Sequence, residues 1–174
     1  MDVEVRPANA GDLPALSALA KRSWFDAFGH SVSPEEAEAE LEATRSEEYF
    51  GDALTRDSIL VAEANGRLLG YVQFGDVSID EVEARPGDQE LHRLYVETTE
   101  HGRGVGRALT DAALHHPRLA SASRIYLQVW ERNDRAVRMY RRAGFRTVGR
   151  TRFTIGAGEV VEDLVMLLDR DTAH

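Results

Sequence analysis

The segment from Leu91 to His116 constrains this chain more than any other. Leu91 to Val96 has the length and apolar character of a strand. It runs into His101-Gly102-Arg103-Gly104-Val105-Gly106-Arg107-Ala108-Leu109, and a helical pattern continues from about Gly104 to His116, where Pro117 should stop it. A strand that enters a helix through so glycine-rich a turn can converge several backbone N–H groups on an anion, to which the helix N-terminus adds partial positive charge. Glycine suits such a turn because a Cβ would obstruct the bound group, and Arg103 and Arg107 can add charge-assisted hydrogen bonds. Two common phosphate motifs do not fit. A P-loop needs Gly-Lys-Ser/Thr at its end, and the dinucleotide fingerprint needs Gly or Ala where Leu109 stands. Taken alone, the turn is either a phosphate cradle of another type or a tight turn with a helix cap.

The flanking sequence reads as one α/β domain over residues 1–174. Val3 and Val5 alternate with charged neighbours as a short strand. Asp12 opens an amphipathic helix with Leu13, Leu16, Leu19, Ala20, Trp24 and Phe28 on one side, ended by Gly29. Ser33-Pro34-Glu35-Glu36 is a capping-box start for a second helix, and 46–55 reads as a further short helical piece. Strand grammar begins at Ser58. Ile59 to Ala62 turns at Asn65-Gly66, which suits a type I′ hairpin, and Leu68 to Phe74 returns. Residues 77–89 are acidic and turn-like. After the helix that follows the glycine turn come a strand from Ile125 to Trp130, a helix from Asn133 to Ala143 closed by Gly144, and a final hairpin around Gly156-Ala157-Gly158.

Charge divides the chain. Residues 1–90 carry 20 acids and 7 bases, and residues 91–174 carry 10 acids and 14 bases. An acidic half suits a cationic partner and a basic half a phosphate-bearing one, although solvated faces can differ in this way without function. There is no basic stripe with interleaved aromatics, so nucleic acid is not expected. There is no apolar run long enough for a membrane span, and no secretory pattern at the N-terminus. With no cysteine, disulfides, thiolate metal sites and a cysteine nucleophile are excluded, and a cytoplasmic location is expected.

A second constellation is Asn133-x-x-Ala136-x-x-x-Tyr140-x-x-x-Gly144-Phe145, whose spacing by three and four places these residues near one helix face. Each has an ordinary role on its own: Asn133 as N-cap, Ala136 for close packing, Tyr140 in the core, Gly144 as C-cap. In combination with the glycine-rich turn, they make the chain resemble the GNAT superfamily of N-acetyltransferases over roughly residues 57–168. The family's Gln/Arg-x-x-Gly-x-Gly/Ala motif aligns on His101 to Gly106, with His101 in place of Gln or Arg. Trp24 to His30, Ser33 to Glu36, Ile125 to Asn133, and Phe153-x-x-Gly156 followed by Glu162-Asp163-Leu164-Val165-Met166 look more narrowly like bacterial spermidine/spermine acetyltransferases.

The resemblance implies a single mixed sheet of about seven strands flanked by about four helices. It further implies acetyl-CoA as cosubstrate, no metal, a small amine such as a polyamine as acceptor, and a homodimer. Backbone groups of Leu94, Tyr95 and Val96 would pair with the pantetheine arm, one N–H meeting the acetyl oxygen. The turn from His101 through Gly102, Arg103, Gly104, Val105, Gly106 and Arg107 to Ala108 would hold the pyrophosphate, with support from Asn133. Tyr140 would protonate the departing thiolate, and Glu90 would take the ammonium proton, with His92 or water as alternatives. Trp24, Phe28 and Glu36, with His92, would contact the amine. A protein N-terminus, an antibiotic amine and a non-catalytic acyl-CoA-binding role are the competing possibilities.

Overall fold

The computed structural model describes residues 2–155 and 158–171, so Gly156 and Ala157 of the final turn lie outside the described residues. Seven strands form one sheet in the order β1-β2-β3-β4-β5-β7-β6. They are β1 (Glu4–Pro7), β2 (Ser58–Ala64), β3 (Arg67–Asp76), β4 (Gln89–Val96), β5 (Arg124–Trp130), β6 (Arg146–Ile155) and β7 (Glu159–Asp169). The helices are α1 (Leu13–Phe28), α2 (Pro34–Arg45), α3 (Glu47–Arg56), α4 (Val105–His115), α5 (Pro117–Ala120) and α6 (Asp134–Arg142). All strand pairs are antiparallel except β4 with β5, whose crossover is supplied by α4 and α5.

The described residues form six α-helices where about four helices were expected, for two local reasons. Ser46 breaks the chain after α2 and its Oγ accepts from the Tyr49 N–H at 3.0 Å, so the 46–55 piece is a capped helix of its own. Pro117 ends α4 as expected but also occupies the first turn of α5, where a missing N–H costs nothing. The other punctuation matches the sequence. Ser33 and Glu36 form both bonds of the capping box, Asn65 and Gly66 take φ of 51° and 75° as a type I′ turn requires, and Gly144 caps α6 at φ 104°.

The sheet is covered on both faces. One face buries Leu60, Val72, Leu91, Ile125, Leu127 and Met166 against Val105, Leu109 and Ala113 of α4 and Val137 and Tyr140 of α6. Each fully buried Leu or Ile there contributes about 1.5–3 kcal/mol by leaving water. The opposite face packs Ile59, Val61 and Tyr71 against Leu16, Leu19 and Ala20 of α1 and Phe50 and Ala53 of α3. Further along the sheet, Tyr126, Val165 and Leu167 meet Ile79 of the 77–88 loop. Arg124 ties that loop down by donating to Asp88 at 3.1 Å.

Two irregularities in the centre of the sheet position the site. In the β3–β4 ladder Gln73 pairs with Arg93 but Phe74 pairs with Leu91, so His92 is an extra residue, a β-bulge. The β4–β5 ladder holds only three pairs, the last being Leu91 with Leu127. Beyond it β4 continues beside β3 and β5 beside β7, and the two strands diverge. A bulge increases local twist, which accounts for the separation beginning where it does.

Candidate active site

The wedge between β4 and β5 opens onto the N-terminus of α4. Gly102 and Gly104 sit at φ 79° and 85°, left-handed values that strain any side-chain-bearing residue. The immediate demand for glycine is therefore conformational, and a Cβ at either position would meet nothing within 4 Å. Gly104 is the N-cap of α4 and offers no side chain, so no side-chain cap satisfies the first-turn N–H groups. These donors face a cleft of about 590 Å³ that runs to the edge of β4.

That cleft is lined by Leu94, Val96, His101, Gly102, Gly104, Val105, Gly106, Arg107 and Asn133, all anticipated from sequence. Glu100, Arg132, Asp134, Arg135, Ala136 and Met139 line it as well. The signal for these was present: Arg132, Arg135, Ala136 and Met139 repeat at helical spacing around the face that carries Asn133. Open donors, flanking arginines and an apolar floor fit a phosphate group joined to a flexible, partly apolar arm.

Tyr95, Arg103, Ala108 and Tyr140, also anticipated, stand beside the cleft rather than in its lining, and His101 and Asn133 of the lining also hold the backbone around it. The Tyr95 side chain faces α1, α2 and α3; it packs on Tyr71 with ring centroids 5.6 Å apart and accepts from Arg45 at 3.2 Å. Only its backbone can serve the wedge. Arg103 is drawn to the buried Glu100 carboxylate at 3.7 Å, which also pairs with Arg67 at 3.1 Å. Ala108 lies on α4 beyond the first turn, and its N–H already bonds the Gly104 carbonyl at 2.9 Å. The His101 ring turns back to within 3.0 Å of the Val96 carbonyl and thereby fastens the turn to the strand. Asn133 caps α6, its Oδ1 accepting from the Ala136 N–H at 3.2 Å. Tyr140 is buried against Phe145 at 5.8 Å. Burial holds its phenol above the ordinary range, so it remains protonated at neutral pH, the state from which an acid donates.

On the opposite face of the sheet lie two more cavities. One, of about 330 Å³, is walled by Trp24, Phe28, Val32, Glu36, Glu40, Phe153 and Thr154, between α1, α2 and β6. Trp24 and Phe28 are 5.8 Å apart. One oxygen of Glu36 is already engaged by the Ser33 N–H at 3.0 Å. The second, of about 470 Å³, lies below the bulge and includes Tyr49, Asp57, Gln73, Ser78, Glu90, His92 and Gln128. Glu90 is buried; Ser78 donates to its Oε2 from the backbone N–H at 2.6 Å and from the hydroxyl at 3.0 Å. His92 thus lies with Glu90, apart from Trp24, Phe28 and Glu36. Because His92 is the extra residue of the bulge, alternation resets after it: Glu90 and His92 face this cavity, whereas Leu94 and Val96 pack toward α4. Asp163 on β7, within the stretch of resemblance from Glu162 to Met166, lies opposite Trp130 and Thr151. Burial pushes its carboxyl up to about 6. A larger cavity of about 670 Å³, near the 77–88 loop, holds none of the residues anticipated from sequence.

The sequence profile of the acetyltransferase (GNAT) family matches residues 14–145, and the chain belongs to that family. Membership makes it an N-acetyltransferase that draws its acetyl group from acetyl-CoA. An uncharacterized N-acetyltransferase of Mycobacterium tuberculosis is 32% identical over 148 residues, covering 84% of this chain and 90% of that one. A mycothiol acetyltransferase of Salinispora tropica is 34% identical over 138 residues, 77% of this chain and 41% of that one. A spermine/spermidine N(1)-acetyltransferase of Bacillus subtilis is 30% identical over 100 residues, 57% of this chain and 65% of that one. Among solved structures, the PaiA N-acetyltransferase of Thermoplasma acidophilum in complex with coenzyme A superposes with a TM-score of 0.75 at 20% identity, over 97% of this chain and 99% of that one.

Proposed function

We propose that this enzyme acetylates a small cationic amine, a polyamine such as spermidine being the best candidate. The observation that carries this reading is the cavity between α1, α2 and β6, where Trp24, Phe28 and Phe153 supply aromatic faces and Glu36 and Glu40 supply negative charge. Aromatic faces and carboxylates together attract ammonium groups, and the acidic N-terminal half adds a field of the same sign. The partial similarity to the Bacillus subtilis polyamine enzyme points the same way.

In the reaction we infer, the turn from His101 to Ala108 and the α4 N-terminus hold the pyrophosphate of acetyl-CoA, with Arg107 and Arg135 beside it. The divergent edge of β4 at Leu94, Tyr95 and Val96 offers its backbone groups to the pantetheine arm, and one N–H stabilises the oxyanion as the amine attacks. Glu90 takes the ammonium proton, and Tyr140 protonates the leaving thiolate. Asn133 fixes the start of α6 and so the placement of Tyr140 seven residues on.

The test is release of free thiol from acetyl-CoA with a panel of amines that includes spermidine. Spermidine should be turned over, and its KM should rise with added salt because screening weakens the attraction of the acidic cavity. A spermidine KM that does not change with ionic strength, or turnover confined to neutral or anionic amines, would refute the assignment of acceptor.

A further inference from the structure

The cavity below the bulge holds an arrangement that the acetyl-transfer mechanism has not used. The His92 ring lies between two carboxylates on different parts of the chain. Its Nδ1 is 3.4 Å from Glu90 Oε1, and its Nε2 is 3.8 Å from Asp57 Oδ1. Both carboxyl side chains are more than nine-tenths buried, and the ring itself is largely so.

Asp57 is held in place from its other side. Gln73, 1% exposed, donates from Nε2 to Asp57 Oδ2 at 2.8 Å and makes a second contact with the Tyr49 hydroxyl at 3.2 Å. The amide cannot be turned round, because its oxygen would then face the Asp57 carboxylate. This orientation leaves Gln73 Oε1 buried with no protein partner among the described residues while its Nε2 is committed to Asp57. Room for the Asp57–His92 contact comes from Gly75. A Cβ there would lie 2.3 Å from Asp57 Oδ1 and 3.2 Å from His92 Nε2. The bulge turns His92 toward this gap, and Gly75 leaves the gap open.

We propose that Asp57 is a positioning residue that orients His92 across Gly75, so that His92 relays the acceptor's proton from Glu90 toward the open side of this cavity. The step balances without a further reactant. The N–H bond of the ammonium breaks, its electron pair stays on nitrogen, and the proton goes to the Glu90 carboxylate. Glu90 passes it to Nδ1 of His92, and Nε2 gives up its own proton to water at the open side of the cavity while Asp57 keeps the ring oriented; exchange of the Nδ1 proton with water restores the starting tautomer. Glu90 returns to its ionised form while Ser78 keeps its Oε2 fixed. Two arginines also border the cavity, one held away from His92 and the other paired with Asp57 itself. Arg93 lies over the Tyr49 ring at 4.7 Å and donates to the Thr44 carbonyl at 2.7 Å, and Arg56 lies over the same ring at 5.3 Å and meets Asp57 Oδ2 at 3.3 Å.

This inference rests on the reading that the chain acetylates a small amine, and the experiment separates the two. Turnover is measured with the best amine of the panel, alongside acetyl-CoA affinity and melting temperature for each variant. Asp57→Asn and His92→Gln should lower kcat by about tenfold or more, at or below the low end of general acid–base effects, with acceptor KM and acetyl-CoA affinity unchanged. Gly75→Ala should reproduce the loss, and combining it with Asp57→Asn should add little, since both disturb the same contact. Imidazole added to His92→Ala should restore part of the lost turnover, a rescue that a packing defect would not show. Wild-type kcat in Asp57→Asn, or no response of His92→Ala to imidazole, overturns the relay while leaving the acetyltransfer reading intact. A wild-type enzyme that acetylates no amine overturns both.

Discussion

Gly104 gives the sharpest test of the phosphate-binding turn, because its replacement separates backbone strain from ligand contact. At φ 85° an L-residue is disfavoured by about 1–2 kcal/mol. A side chain there meets no protein atom within 4 Å, so no steric cost is added. For a chain of 174 residues, Gly104→Ala should lower the melting temperature by about 2–8 °C and leave the fold cooperative. Gly104→Glu carries the same strain but also places a carboxylate in the cleft. At about 5 Å from a phosphate charge and an effective dielectric of about 20, the repulsion is ~3 kcal/mol per unit charge before screening. Salt reduces this at so open a site, and a net loss of ~3 kcal/mol corresponds to about 100-fold weaker acetyl-CoA binding. Calorimetric titration of both variants, paired with thermal melts, reads the two effects separately. If Gly104→Glu melts like Gly104→Ala and binds acetyl-CoA as tightly as the wild type, the pyrophosphate does not lie at this helix terminus.

Two further predictions concern ionisable groups shifted by burial. Tyr140→Phe keeps the ring and its contact with Phe145, so it should fold normally and bind acetyl-CoA as before while kcat falls by about 10²–10⁴-fold; wild-type kcat across the pH profile would reduce Tyr140 to packing. Asp163, pushed up to about 6 by burial, keeps its proton in the folded state to higher pH than in the unfolded chain, where a carboxyl titrates near ~3.9. Its favourable contribution is therefore complete below about pH 4 and is lost as pH rises through 6. Asp163→Asn should match the wild type near pH 4 and exceed it at pH 7 by about 1 kcal/mol, a figure reduced for the group's partial exposure. Denaturant melts at the two pH values check this, and an equal difference at both would show that the carboxyl is not desolvated.

Much of the fold follows from local chemistry and was therefore legible in the sequence. The Ser33 capping box, the Asn65-Gly66 turn, the Gly144 cap and the strand–glycine turn–helix unit each depend on a few neighbouring residues whose φ values and hydrogen bonds are set within one turn of chain. The side proposed to bind phosphate belongs to this class, because α4 and α6 are periodic elements whose caps are set by neighbouring residues. The proposed acceptor side does not. Asp57 lies at the end of α3 and Gln73 and Gly75 on β3, and only strand pairing brings them to Glu90 and His92 of β4. The bulge at His92 is likewise a property of register between β3 and β4, so strict alternation along β4 could not show that Leu94 and Val96 turn to the face opposite His92. Local sequence determined where an anion can bind, because helix termini and glycine turns are made by neighbours. Only the tertiary structure decided which carboxylates and imidazole share a cavity, because that depends on contacts between segments distant in the chain.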